Sequence, residues 1–343
     1  MRRKTKEIRI GNIVIGGDYP VTVQSMVKVH PANTSEAINQ LHRLTDVGCD
    51  IVRIAVPDIE GAEALSEIKK SSKIPLVADI HFDYRLAIEA IKRGVDKIRL
   101  NPSNIRSVEN IKKVVELAKE RNIPIRVGAN IGSLKEVSNR DSLADELFDA
   151  VKNEVSLLES LNFYDIVLSA KCSEIDLNYR VNKKLSENYD YPIHIGITEA
   201  GTLVSGIVKS SIGMFKLLNE GIGDTIRVSL TGELEREVIS GISILKSLNL
   251  CSGVDIVSCP TCGRAKIDVA KYAAIVEEKL IGLKKKVKVA IMGCEVNGPG
   301  EAKDADIGIA GSGKYAVLFE KGEIIAKGKP SEMVDILVKR LLH

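Results

Sequence analysis

The sequence predicts an α/β chain: a (β/α)₈ TIM barrel over residues 1–250, followed by a small α+β domain over 251–343. Three observations predict it. A strand-then-helix rhythm repeats through 1–250, about the length of one such barrel. That rhythm stops near residue 251. The remainder mixes short apolar strands with a cysteine pair, a glycine-rich loop and a hairpin.

Residues 7–16 read as a hairpin turning at Gly11-Asn12. Barrel strands are expected at 21–26, 51–56, 75–80, 97–101, 124–130, 165–171, 193–198 and 224–230. Each is followed by helical spacing, as over 105–121 and 142–161. An open doubly wound sheet is the competing arrangement, but the first unit carries no dinucleotide-binding turn. In the second domain, strand 254–258 leads into the cysteine pair, with a helix over 267–280. Strand 287–292, loop 293–301, strand 306–310 and a hairpin over 315–326 turning at Lys321-Gly322 follow, and a last helix starts at Ser331.

A net charge of +3, no Trp and five Phe do not point to a nucleic-acid partner. No run approaches the ~18 apolar residues of a membrane span. The basic start Met1-Arg2-Arg3-Lys4-Thr5-Lys6 leads into Ile8-Arg9-Ile10, not into an apolar signal core. We therefore expect a cytoplasmic protein whose six cysteines are reduced, where a metal site is favoured over disulfides.

Barrels of this kind place their active site at the C-terminal ends of the strands. Here those ends carry Arg53, Arg99 with Asn101, Arg126 with Asn130, Ser169 with Lys171, and Arg227 with Ser229. Residues two apart share a face of a strand, so Arg99/Asn101, Ser169/Lys171 and Arg227/Ser229 can each point inward together. Five converging cations repel one another, and Lys and Arg are rarely buried unpaired. A substrate with more than one phosphate answers that need, and forked Arg donors match phosphate oxygens. The competing reading turns individual cations outward between helices. Glu199 ends strand seven inside the ring and could orient a substrate hydroxyl or move a proton; a salt bridge to an arginine is its alternative. His81 reads either as a further polar contact or as a structural histidine. His194, near the start of its strand, reads as structural and at the wrong end of the barrel.

Cys259-Pro-Thr-Cys262, Cys294 and Glu301 offer three thiolates and one carboxylate to one metal centre. Cys-Pro-Thr-Cys-Gly-Arg also opens zinc ribbons, so a zinc-dependent phosphatase or aldolase-type barrel is the alternative. A structural ribbon needs a second close pair, and this chain offers only Cys294. The glycine-rich stretch 293–300 lets backbone N–H groups approach cluster sulfides, which favours iron–sulfur over zinc. A carboxylate in place of a fourth thiolate suits a site that does chemistry. Cys49 and Cys251 read as small buried residues, and alternation turns Cys172 away from Lys171. Gly308-Ile-Ala-Gly-Ser-Gly313-Lys314 nearly matches a phosphate-binding loop, but Tyr315 replaces the Ser/Thr and a strand follows.

Motifs running over essentially the whole chain then add a resemblance. They are Gly16-Gly17 with Val23-Gln24-Ser25-Met26, Arg99-Leu-Asn-Pro102, Arg126-Val-Gly-Ala-Asn130, Gly196-Ile-Thr-Glu-Ala-Gly201, Ile226-Arg-Val-Ser-Leu-Thr231, Cys259-Pro-Thr-Cys-Gly-Arg264 and Asn297-Gly-Pro-Gly-Glu301. On these residues the chain resembles the 4-hydroxy-3-methylbut-2-enyl diphosphate synthase family of the non-mevalonate isoprenoid pathway, in its compact bacterial form. The resemblance implies 2-C-methyl-D-erythritol 2,4-cyclodiphosphate as substrate, opened and dehydrated with two electrons. It implies a 4Fe–4S cluster on Cys259, Cys262, Cys294 and Glu301, with Glu301 as a replaceable ligand. It places the diphosphate on Arg53, Arg99, Arg126, Asn130, Lys171, Arg227 and Ser229, and Glu199 at the hydroxyl region. Flavodoxin or ferredoxin is the implied donor, and a head-to-tail homodimer the implied assembly. Chain order leads to the same dimer. Each barrel helix returns the chain to the bottom, a helix of about 12 residues spans roughly 18 Å, and the second domain follows the eighth helix.

Overall fold

The computed structural model describes residues 2–101, 105, 107–134, 142–294 and 304–343. The chain divides into two compact units, Met1–Leu250 and Cys251–His343.

The first unit opens with an antiparallel hairpin of β1 (Ile8–Ile10) and β2 (Ile13–Ile15). Its turn residue Gly11 has φ +56°, and a Cβ there would meet Asp96 Oδ1 at 2.7 Å, both of which favour glycine. Eight parallel strands follow: β3 (Thr22–Met26), β4 (Ile51–Ala55), β5 (Leu76–Asp79), β6 (Lys97–Arg99), β7 (Ile125–Asn130), β8 (Ile166–Lys171), β9 (His194–Ile195) and β10 (Thr225–Ile226). After each comes a helix: α1 (Thr34–Asp46), α2 (Ile59–Ser71), α3 (Tyr84–Lys92), α4 (Val108–Arg121), α5 (Leu143–Ser160), α6 (Ile175–Asn188), α7 (Leu203–Leu218) and α8 (Leu234–Ser247). Asp58, Asp83 and Ser107 cap α2, α3 and α4 by accepting from backbone N–H groups of the first turn. The ladder runs β8-β7-β6-β5-β4-β3-β10-β9, and a Leu168–Ile193 bridge joins its ends, so the barrel closes.

The hairpin forms the barrel floor. Ile8, Ile10 and Ile15 pack against Ile51, Val77 and Val167. Full burial of such a side chain stabilises by roughly 1.5–3 kcal/mol. This floor also identifies the inward face of each strand, because Ile51, Val77 and Val167 point into the barrel.

The seventh and eighth strands are shorter than the sequence suggests: two residues each, not 193–198 and 224–230. Apolar content persists beyond the ladder, since Ile197 and Val228 are fully buried. Backbone contact also persists there: the Arg227 N–H donates to the Ile195 carbonyl oxygen at 3.1 Å, and a Cβ on Gly196 would lie 2.4 Å from the Arg227 carbonyl oxygen.

The second unit is a five-stranded sheet in the order β11 (Val254–Ser258), β12 (Val287–Met292), β13 (Ile307–Ser312), β14 (Tyr315–Glu320) and β15 (Glu323–Gly328). The first two pairings are parallel and the last two antiparallel. Helices α9 (Val269–Lys279) and α10 (Pro330–Leu342) bury Val269, Val276, Met333 and Leu337 against Val289, Ile291, Ile309 and Leu318. The β14–β15 turn places Lys321 and Gly322 at φ +50° and +84°, as a two-residue hairpin turn needs. Gly313-Lys314 likewise turns one antiparallel strand into the next, which excludes a strand–loop–helix phosphate loop there. Among the described residues, no helix is long and apolar enough to cross a membrane.

Candidate active site

Strand register carries the inward face around the barrel. Val77 pairs with Lys97, Asp79 with Arg99, Arg99 with Arg126, and Arg126 with Val167. Paired residues share a face, and so do residues two apart. Arg53, Asp79, Lys97, Arg99, Asn101, Arg126, Asn130, Ser169 and Lys171 therefore line the interior above the floor. On the remaining strands His194 pairs with Thr225, and Thr225 with Thr22.

Asp79 is the counter-charge at the centre of this set. It is 4% exposed and stands 3.4 Å from Arg99 Nη1, 3.6 Å from Arg53 Nε and 3.5 Å from His81 Nε2. These are ion-pair distances; its Oδ1 makes no hydrogen bond of good geometry. Burial alone would raise its pKa, but Arg53, His81, Arg99 and Arg126 outweigh burial and hold it well below the usual carboxylate range. Arg53 is pushed down to about 10, by burial first and then by Arg227 and Arg99, with Asp79 opposing. His81 is half exposed and contacts Arg99 Nη1 through Nδ1 at 3.0 Å.

Deeper in the barrel the balance fails. Arg126 is 3% exposed and Lys97 fully buried, and among the described residues Arg126 Nε and Nη1 and Lys97 Nζ have no hydrogen-bond partner. Both are lowered well below their ordinary pKa values, by burial first and then by neighbouring arginines. Gln24 and Asn101 also carry buried side-chain atoms without partners among the described residues. Such orphaned groups in a native interior require an explanation.

On the far wall, Lys171 Nζ lies 2.9 Å from His194 Nε2, and His194 Nδ1 lies 3.3 Å from Thr225 Oγ1. His194 does stand at the start of its strand, as expected, but it is joined to the cation cluster because a long lysine reaches down from its own strand end to meet it. Arg227 stands 3.4 Å from Glu237 of α8, which also accepts from Ser25 Oγ at 3.0 Å and the Leu230 N–H at 3.2 Å. Lys28 Nζ lies 3.3 Å from the same carboxylate. Ser229 is half-buried, and Asn130 is exposed at the end of β7, in register with Lys171. Glu199 sits exposed beyond β9 with φ +51°, a strained conformation for a residue with a Cβ, and makes no ion pair or side-chain hydrogen bond among the described residues. Among the described residues, six interior cations, Arg53, Lys97, Arg99, Arg126, Lys171 and Arg227, thus face two carboxylates, Asp79 and Glu237. The arrangement can bind a polyanion.

In the second unit Cys259 follows β11 and Cys294 lies two residues beyond β12, the neighbouring parallel strand. The Gly293 N–H donates to Cys259 Sγ at 3.2 Å. A Cβ on Gly293 would crowd that sulfur at 3.2 Å and Val269 Cγ2 at 3.1 Å, so this glycine keeps a cradle open beside the thiolate. Cys294 is buried and Cys262 exposed. Glu301 lies outside the described residues, as do 295–300. Among the described residues no group of three His, Cys, Asp or Glu is drawn together as a metal set. The donor chemistry and the N–H aimed at sulfur nevertheless fit an iron–sulfur group. Of the other cysteines, Cys49 and Cys172 are buried, and burial pushes both thiols up to about 12. Cys251 is only partly buried, against expectation.

Sequence reasoning gave no role to Asp79, Lys97 or Glu237, and read His194 as structural. Alternation could have found the first two, since Lys97 shares a face with Arg99 and Asp79 with His81. Nothing local marks Glu237, a helix residue that reaches the site only through the barrel wall.

Two family models match: "GcpE TIM-barrel domain" over residues 5–242 and "GcpE protein C-terminal domain" over 255–343. The chain is 54% identical to the 4-hydroxy-3-methylbut-2-en-1-yl diphosphate synthase (flavodoxin) of Caldanaerobacter subterraneus subsp. tengcongensis, covering 99% of this chain and 97% of the relative. It is 50% identical to the enzyme of that name from Clostridium acetobutylicum, covering 99% of both. Among solved structures, Xanthomonas albilineans dihydropteroate synthase superposes with a TM-score of 0.53 at 12% identity, over 72% of this chain and 98% of that one. Geobacillus kaustophilus 3-dehydroquinate dehydratase gives 0.52 at 12% identity, over 73% and 98%. At such identities these two show the barrel fold alone.

Proposed function

The chain belongs to the GcpE family of 4-hydroxy-3-methylbut-2-en-1-yl diphosphate synthases, and on that premise we propose that it reductively opens and dehydrates 2-C-methyl-D-erythritol 2,4-cyclodiphosphate. Two electrons and two protons enter, the ring C–O bond breaks, and one hydroxyl oxygen leaves as water, giving 4-hydroxy-3-methylbut-2-enyl diphosphate. The observation that carries this reading is the excess of interior cations over carboxylates among the described residues, where Arg126 Nε and Nη1 and Lys97 Nζ find no partner. A diphosphate supplies the missing negative charge.

In this reading Arg53, Arg99, Arg126, Lys171 and Arg227 hold the phosphates, with Asn101, Asn130 and Ser229 as neutral donors and His81 at the rim beside Arg99. Bidentate guanidinium contacts fix the ring so that one C–O bond faces the opening. Glu199, exposed at the strand end, orients the departing hydroxyl or holds its proton. A 4Fe–4S cluster on Cys259, Cys262, Cys294 and Glu301 would supply the two electrons and a Lewis-acidic iron. The relatives' names support flavodoxin as electron donor. Reduced thiolates and that donor fit work in the cytoplasm.

We further propose that the active form is a head-to-tail homodimer in which one chain's thiolates serve its partner's barrel. Connectivity supports it: α8 leads the chain away from the strand ends that bear the cations.

The test is metal analysis of anaerobically purified full-length protein. Brown protein with iron and acid-labile sulfide near four each per chain supports the assignment. Colourless protein loaded with zinc overturns it.

A further inference from the structure

The strongest unassigned feature is the buried chain of contacts behind Lys171. Its Nζ lies 2.9 Å from His194 Nε2, and His194 Nδ1 lies 3.3 Å from Thr225 Oγ1. All three sit on inward positions of successive barrel strands, and His194 and Thr225 are fully buried. A second, independent feature seats the lysine. A Cβ on Gly196 would come within 2.9 Å of Nζ, so the amine occupies space that only glycine leaves open.

We propose that His194 is a positioning residue for anion binding, its Nε2 accepting one N–H of Lys171 while Thr225 fixes the imidazole tautomer. This deepens the proposed function and rests on its reading of the barrel mouth. The chemistry follows from donor counts. A lysine ammonium has three donors and no acceptor, so Nε2 must accept. A neutral imidazole then carries its proton on Nδ1, where Thr225 Oγ1 accepts it. One of the three lysine N–H groups is committed, and two remain for phosphate oxygens.

The surroundings explain why an amine needs such a fixture. Arg126, Arg227 and Arg53 all repel the Lys171 charge, and Glu237 opposes them. Burial first, and then these arginines, lower its pKa well below the ordinary lysine value. His194 is itself held neutral by burial and by Lys171, Arg126, Lys97 and Arg53. A neutral acceptor is the one kind of neighbour that favours the ammonium form without adding charge that competes with the anion.

Binding of inorganic pyrophosphate to the full chain, measured by calorimetry between about pH 6 and 9, tests this without the cluster or turnover. His194→Phe keeps ring size and removes the acceptor; it should weaken binding about tenfold, as loss of one charge-assisted hydrogen bond does. Its affinity should also begin to fall at lower pH than in the wild type, because Lys171 loses the neighbour that favours its protonated form. His194→Gln, which restores an oxygen acceptor, should stay within about threefold of wild type. Thr225→Val should fold as the wild type does and show a smaller shift in the same direction. The ligand's own ionisation is common to all variants and cancels in the comparison. Equal losses in the Phe and Gln variants, or wild-type affinity and pH profile in the Phe and Val variants, overturn the assignment. Should His194→Phe fail to fold, the Gln and Val variants decide between the same two outcomes. If the wild type itself does not bind pyrophosphate, the reading of the barrel mouth fails first, and this inference with it.

Discussion

Asp79→Asn is the sharpest perturbation of the barrel interior. The amide is nearly isosteric, so packing is kept while the carboxylate between Arg53 and Arg99 disappears. At 3.4 Å and an effective dielectric of about 20, one such pair is worth roughly 5 kcal/mol of Coulomb energy before desolvation is counted. Breaking a buried pair from one side typically costs about 3–5 kcal/mol, because the partner charges stay buried. Arg53 and Arg99 keep 14% of their side-chain surface, which places the expected loss near the lower end, about 3 kcal/mol. For a domain of this size that is a fall in Tm of roughly 6–12 °C. The assay is thermal unfolding of the full chain by circular dichroism at pH 7. The sign with pH follows from the depressed carboxyl. Asp79 contributes fully above the unfolded-state value of about 4 and progressively less as pH falls below it, so the gap between wild type and variant should narrow there. Pyrophosphate, which restores negative charge, should raise the Tm of the variant more than that of the wild type. A variant melting within about 2 °C of wild type at pH 7, with no narrowing in acid, refutes the role of Asp79 as central counter-charge.

Lys97→Met replaces a buried amine, without a partner among the described residues, by an apolar chain of similar length and should raise stability by about 1–3 kcal/mol at pH 7. Because the folded-state pKa of Lys97 is depressed, its penalty fades as pH rises toward about 10.4, and the variant's advantage in urea melts should fade with it. Gly293→Ala puts a methyl group 3.2 Å from Cys259 Sγ and should lower iron bound per chain after anaerobic reconstitution, while pyrophosphate binding stays at the wild-type level. Mixing Cys294→Ser chains with Arg126→Ala chains should recover up to about a quarter of wild-type turnover if each active site draws on two chains. No recovery in verified heterodimers counts against the shared site.

Much of this architecture was legible before any coordinates. The hairpin, the strand–helix rhythm and the strands at 254–258 and 287–292 follow from apolar alternation and turn residues; that the hairpin closes the barrel floor does not. The cation ring was legible too, because strand ends in a barrel converge and side-chain direction alternates. Other features were not legible, for identifiable reasons. Lys97 looks like an exposed strand residue until its pairing with Val77 turns it inward. Glu237 reaches Arg227 and Ser25 across the barrel wall, a contact that local pattern does not encode. The strand position of His194 does not reveal that Lys171 reaches it. The sequence overstates the length of β9 and β10 because buried apolar residues continue where the ladder has stopped.

The most direct test of the central claim is anaerobic turnover of 2-C-methyl-D-erythritol 2,4-cyclodiphosphate by the iron-loaded protein with a chemical reductant. The account predicts 4-hydroxy-3-methylbut-2-enyl diphosphate, with two electrons consumed per product and turnover lost in Glu301→Ala and Arg126→Ala. Unchanged substrate in the presence of an intact, reducible cluster would contradict it.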